Sequence, residues 1–142
     1  MTQLTEQDAR QLFATTNSRN LDKALEQFSE DAVFQVPMMD SPIHGKKAIR
    51  EFLTGAWTAF PDFSNEVTHV YVSGNETVIV NSIHGTHSGP LVGSDGKSIA
   101  ATNKKFVQDE MTRVVVDEKG HVKSLRAYGN PSDLYRQLGL SK

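Results

Sequence analysis

The chain has 142 residues, enough for one domain with a real core and too few for two, so residues 1–142 are read as a single domain. With 37% hydrophobic and 23% charged residues it falls among globular rather than disordered chains. The formal net charge of −2 and the absence of any Lys/Arg run longer than Lys46-Lys47 or Lys104-Lys105 give a nucleic-acid partner no electrostatic footprint.

There is no cysteine, which excludes disulfides and thiolate chemistry. No apolar run approaches the ~18 residues of a membrane span. The opening MTQLTEQDARQLF lacks the basic start and apolar centre of a secretory signal, so the expectation is a cytoplasmic protein without a membrane partner.

Residues 5–19 read as a helix. Thr5-Glu6-Gln7-Asp8 resembles a capping box, and Ala9, Leu12, Phe13 and Thr16 recur at helical spacing. Asn20 caps a second, short helix with Leu21, Ala24, Leu25 and Phe28 on one side. Ala32 to Val36 reads as a strand ending at Pro37, and Met38 to Gly45 as a loop. Lys46 to Ala59 is a third helix, on which Ile49, Phe52, Leu53, Ala56 and Trp57, with Phe60 beyond, form an apolar stripe.

The period then changes to two. Phe63–Val72 and Thr77–His87 are strands around a Gly74-Asn75 turn, and 88–97 is a loop rich in Gly, Ser and Asp. Lys105–Val116 and His121–Asn130 make a second hairpin around 117–120. Pro131 opens a last helix over Ser132–Leu138. Helices, strand, helix and then a run of antiparallel strands give an α+β arrangement, with helices gathered on one side of a curved sheet.

Simple pairing across the 117–120 turn sets Val107 opposite Asn130, Asp109 opposite Tyr128 and Met111 opposite Arg126. Val107, Asp109, Met111, Ser124, Arg126, Tyr128 and Asn130 then share one sheet face. His84 and His87, three apart, fall on opposite faces of a regular strand and make no metal pair unless the strand bulges. No metal or nucleotide motif occurs, so no cofactor is expected.

Four segments, in order, carry a family resemblance: GKKAIREF leading to FPDF, GTHSGP, IAATNKKF, and the closing RQLG. Together they resemble the SnoaL-like polyketide cyclase family, within the nuclear transport factor 2-like superfamily. The resemblance implies a cone-shaped α+β barrel, a curved antiparallel sheet with helices on its concave side and one deep pocket between them. It also implies a homodimer through the outer sheet face. Where the family carries an Asp that serves characterised cyclases as acid/base, this chain has Asn130. Asn cannot move a proton; it can bind a carbonyl or enolate oxygen, or cap the helix after it.

Because the family places the Asn130 position at the pocket, the face holding Asp109 and Arg126 is expected to be the inner one. Buried there, the two would have to pair, as a structural ion pair or as groups acting on a ligand. His87 lies in the motif that relatives place near the pocket mouth. It is read either as a base, with a convenient ordinary pKa, or as a structural hydrogen-bonding residue.

The expected reaction is cofactor-independent cyclisation or isomerisation of a polyketide-like or other enolisable carbonyl compound. Asp109 or His87 would take the proton, and Arg126, Tyr128 and Asn130 would hold the enolate oxygen. Trp57, Phe34, Met111 and His44 are expected around an apolar small-molecule ligand, with Met38, Met39, Phe60 and Phe106 as further wall candidates. Two alternatives stand beside this one. The first is a non-catalytic ligand-binding or dimerisation module. The second is an epoxide hydrolase or isomerase using Asp109 and Arg126.

Overall fold

A computed structural model of the chain describes residues 5–92 and 96–140. Helix α1 (Glu6–Asn17) starts at a complete capping box. Thr5 accepts from the Asp8 amide, and the Asp8 carboxylate accepts from the Thr5 amide. Helix α2 (Leu21–Glu26) is capped by Asn20. Phe28, expected on its face, instead opens strand β1 (Phe28–Gln35). Strand β2 (Ile43–His44) lies inside the first expected loop, and β5 (Leu91–Val92), inside the expected 88–97 loop, pairs with β6 (Ser98–Ile99) just beyond it. Helix α3 (Gly45–Ala59) and helix α4 (Pro131–Gln137, Pro at its first position) match their sequence signals to within a residue or so.

Strands β3 (Ser64–Ser73), β4 (Glu76–Thr86), β7 (Lys105–Val116) and β8 (Val122–Tyr128) complete a six-stranded sheet in the order β2-β1-β8-β7-β4-β3. Its pairs are antiparallel except β1 with β8, which run parallel. The expected α+β architecture is observed, with α1 and α3 packed on the sheet. Among the described residues no helix is long and apolar enough to cross a membrane.

The β7–β8 register differs from simple pairing by two residues. Met111 faces Tyr128 and Arg113 faces Arg126, with an irregularity between Val115 and Val116. A shift of two keeps every side chain on the side it had, so Val107, Asp109, Met111, Ser124, Arg126 and Tyr128 do share a face, while Asn130 lies beyond β8 as the cap of α4. That face is the outer one. Val107, Met111 and Tyr128 are 59%, 50% and 49% exposed, and Asp109 and Arg126 are exposed too. The inner face of β7 carries Phe106, Gln108, Glu110, Thr112 and Val114, all buried.

The resemblance segments lock one end of this frame together. The Asp62 carboxylate accepts from the Thr86 amide (2.7 Å) and hydroxyl (2.8 Å). The amides of Ser88 and Gly89 donate to the Ala59 carbonyl at the end of α3. Gly89 has to be glycine: a Cβ there would sit 1.9 Å from the Thr58 carbonyl oxygen. His87 donates its amide to Lys104 and accepts the Asn103 amide, which joins GTHSGP to the TNKK stretch.

Candidate active site

The inner sheet face, α1, α3, α4 and the loop after β1 enclose one cavity of about 860 Å³. Its walls are mainly apolar. Phe13 comes from α1, Phe28 and Phe34 from β1, Phe52 and Trp57 from α3, Phe106 from β7 and Leu134 from α4; Met38 and Met39 line it from the loop. The stripe on α3 is therefore divided. Ile49 is fully buried in the core, while Phe52 and Trp57 are half-buried at the cavity.

The polar part of the wall comes from adjacent strands at matching register. Asn81 on β4 lies opposite both Val67 on β3 and Glu110 on β7, and Ile83 lies opposite Asn65 and Gln108. The Asn81 amide is fixed on both sides. Its oxygen accepts from the Thr112 hydroxyl (2.8 Å), and its nitrogen donates to the Asn65 side-chain oxygen (2.8 Å) and to Glu110 Oε1 (3.3 Å). Asn65 is held in turn by a reciprocal pair of bonds between its backbone and the Asn17 side chain on α1 (2.8 and 2.9 Å). The Asn65 side-chain nitrogen makes no hydrogen bond among the described residues.

Glu110 is 7% exposed and lines this cavity. Burial pushes its carboxyl up from 4.5 to about 7, with the Asn81 hydrogen bond acting in the opposite direction. It has no ion pair among the described residues, so near neutrality it exists in both protonation states. That is the condition a general acid/base requires. Gln108, one position along the same face, donates to the Asn130 carbonyl (2.8 Å). The Gln137 side chain pairs both ways with the Val107 backbone (2.9 Å each). These bonds seat α4 against the part of β7 that β8 has left.

The sequence-expected residues divide sharply. Trp57, Phe34, Met38, Met39, Phe60 and Phe106 line the cavity. Asp109, Arg126, Tyr128 and Met111 do not, because they stand on the outer face. Nor are Asp109 and Arg126 a buried pair: the Arg126 guanidinium lies over the Tyr128 ring at 4.7 Å. Asn130 is exposed, and its side chain accepts the Ser132 (3.0 Å) and Asp133 (3.4 Å) amides as the cap of α4. His44 is an exposed residue at the start of α3, off the cavity wall.

His87 is fully buried beside Phe60 and does not reach the cavity. Its Nδ1 accepts the Thr102 amide (3.3 Å) and contacts the Thr102 hydroxyl (3.0 Å). Burial lowers its pKa, with the Gly89 backbone opposing, which favours the neutral ring. Among the described residues no group of three or more acidic or His side chains is placed to hold a metal.

Comparison with known proteins places this geometry in a family. The model of the SnoaL-like polyketide cyclase family matches residues 7–138, and the chain belongs to that family. A comparison with curated protein sequences finds no match. Three similar solved structures illustrate the fold. A protein with a ketosteroid isomerase-like fold from Catenulispora acidiphila, in complex with trimethylamine, is 15% identical over 96% of this chain and 95% of its own, with a TM-score of 0.78. IdmH, a proposed polyketide cyclase from Streptomyces antibioticus, is 20% identical over 93% and 96%, with a TM-score of 0.74. SalBIII, an epoxide hydrolase/cyclase-like enzyme of pyran ring formation in salinomycin, is 17% identical over 88% and 89%, with a TM-score of 0.73. At these identities the likeness speaks for the fold alone.

Proposed function

We propose that this member of the SnoaL-like family is a cofactor-independent cyclase or isomerase, acting on an apolar, enolisable carbonyl compound of polyketide type. The observation that carries the reading is Glu110, a buried carboxyl on the wall of an apolar cavity, held by one neutral amide and titrating near 7. Glu110 takes the role first expected of Asp109 and His87.

In this mechanism the Glu110 carboxylate removes a proton from the carbon beside the substrate carbonyl. The C–H electrons move into the carbonyl and leave an enolate. Asn65, on the cavity wall with its side-chain oxygen already engaged by Asn81, supplies an amide donor for the enolate oxygen. For ring closure, the enolate carbon adds to a second carbonyl of the same folded chain. One C–C bond forms, and the new alkoxide takes the proton back from Glu110. For isomerisation, the proton returns to a different carbon. The aromatic walls fold the substrate and exclude water.

The epoxide alternative needs a carboxylate and a guanidinium together, and no Arg lines the cavity among the described residues. We also infer self-association through the outer sheet face. Val107, Met111, Tyr128 and Tyr71 present an apolar and aromatic surface there. Met111→Glu is then expected to convert a dimer to monomer in sedimentation; an unchanged sedimentation coefficient would count against this face.

The test of the chemistry is deuterium uptake at the α-carbon of acetonaphthone, followed by proton NMR. Wild-type exchange should exceed the buffer rate and rise with pH through about 7. Glu110→Gln should lower it by about 10²–10⁴-fold, while Asp109→Asn leaves it unchanged. The reading fails if Glu110→Gln exchanges as fast as wild type.

A further inference from the structure

The titratable side chains on the cavity wall are three carboxylic acids and a phenol. Asp40 comes from the loop after β1, Glu51 from α3, Glu110 from β7 and Tyr135 from α4. The cavity-facing residues of α1, β1, β3, β4 and β8 include none, and no Lys, Arg or His lines the cavity among the described residues. Glu110, the most deeply buried of these carboxylates, has the neutral amide of Asn81 as its one side-chain hydrogen-bond partner among the described residues. A carboxylate in an apolar cavity is stabilised either by taking a proton or by gaining a cation. Among the described residues no side chain on the cavity wall supplies a cation, and the cavity that Glu110 lines, about 860 Å³, has room for one to arrive on a ligand. Aromatic rings on the same walls favour an ammonium group and disfavour an anion.

We propose that the cavity takes a second ligand class, lipophilic amines in their ammonium form, with the charged nitrogen against Glu110 and the hydrocarbon body against Trp57, Phe34 and Phe52. It turns away carboxylates of the same shape. The proposal rests on the place of Glu110 in the cavity named above and not on its acting as a catalyst. Binding of the ammonium is coupled to loss of the Glu110 proton, so affinity rises with pH while the amine itself stays charged.

The test is calorimetric titration of the full chain with naphthylmethylamine, naphthylmethanol and naphthoate, which share a ring system and differ in charge. At about pH 8 the amine should bind at least about tenfold more tightly than the alcohol. That preference should shrink about tenfold on going to about pH 6, because Glu110 is then protonated. Naphthoate should bind most weakly. In Glu110→Gln, which keeps the bond to Asn81, the amine should fall to the affinity of the alcohol.

Equal affinity for amine and alcohol at about pH 8 would overturn the proposal. So would a preference that survives in Glu110→Gln, tight binding of naphthoate, or no binding of any of the three. Wild type alone, through its pH dependence, decides the matter if the variant does not fold. Charge-selective binding without carbonyl exchange would leave this inference standing and remove the proposed reaction; exchange without charge selectivity would do the reverse.

Discussion

Replacing Glu110 by Gln should stabilise the protein, and by an amount that depends on pH. The folded-state pKa of Glu110 lies near 7 against an ordinary value of 4.5, and burial is the main cause. Between those values the folded state holds a proton that the unfolded chain releases, so stability falls as pH rises through that window. Below about 4.5 both states are protonated and nothing is lost. Above about 7 the folded state carries a desolvated carboxylate, at a cost of about 3 kcal/mol. Gln is neutral at every pH and still accepts the Asn81 amide. Urea unfolding at about pH 8 should therefore show Glu110→Gln more stable than wild type by about 3 kcal/mol. That corresponds to a Tm increase on the order of 10 °C for a chain of this size. At about pH 5 the difference should shrink to a fraction of this. A difference that stays constant between the two pH values would refute the burial argument. So would a variant less stable than wild type at about pH 8.

Other substitutions probe the frame around the cavity. Gly89→Ala forces a Cβ to within 1.9 Å of the Thr58 carbonyl oxygen and should lower stability by about 3 kcal/mol or more, measured by thermal unfolding. Asn130→Ala removes the cap of α4 and should cost about 1 kcal/mol, with the pH dependence of α-carbon exchange unchanged, whereas Asn130→Asp should retain the stability. Asp62→Ala releases the Thr86 amide and hydroxyl and should cost about 1 kcal/mol at neutral pH. The Asp62 pKa is depressed, mainly by the Thr86 hydroxyl, so that difference should fade as pH drops below the ordinary carboxylate range.

The helices and turns were legible because each carries a local signal: the capping box at Thr5, Asn20 before α2, Pro131 after Asn130, and the apolar stripe of α3. Which side chains of β7 share a face was also legible, since a register shift of two preserves the alternation. Which face is inner was misread because it was taken from the family's placement of the Asn130 position at the pocket, and the strand itself offered no clear correction. The outer face of β7 offers Val107 and Met111 at its middle, while the inner face offers Gln108, Glu110 and Thr112. Hydrophobic patterning alone points the wrong way there, because the polar cluster of the cavity interrupts the core pattern.

Strand β8 held the missing information. Leu125 and Ala127 alternate with Ser124, Arg126 and Tyr128, and that alternation sets the inner side of β7 through their pairing. The opposition of Asn81 to Glu110 was within reach of the same reasoning, applied to the long β4–β7 pair. The family position at Asn130 misled because of where that residue sits. A residue at a strand end can turn its side chain to cap the following helix, as Asn130 does, without facing the pocket at all.

The most direct test of the account is a carbon-13 NMR titration of the Glu110 side-chain carboxyl in the full chain, assigned by comparison with Glu110→Gln. A midpoint near 7 that falls when naphthylmethylamine is added is the predicted result, since it reports a buried carboxyl open to a ligand in the cavity. A midpoint in the ordinary glutamate range, near 4.5, would mean that water reaches and solvates the group, and it would contradict the assignment of Glu110 as the acid/base of this protein.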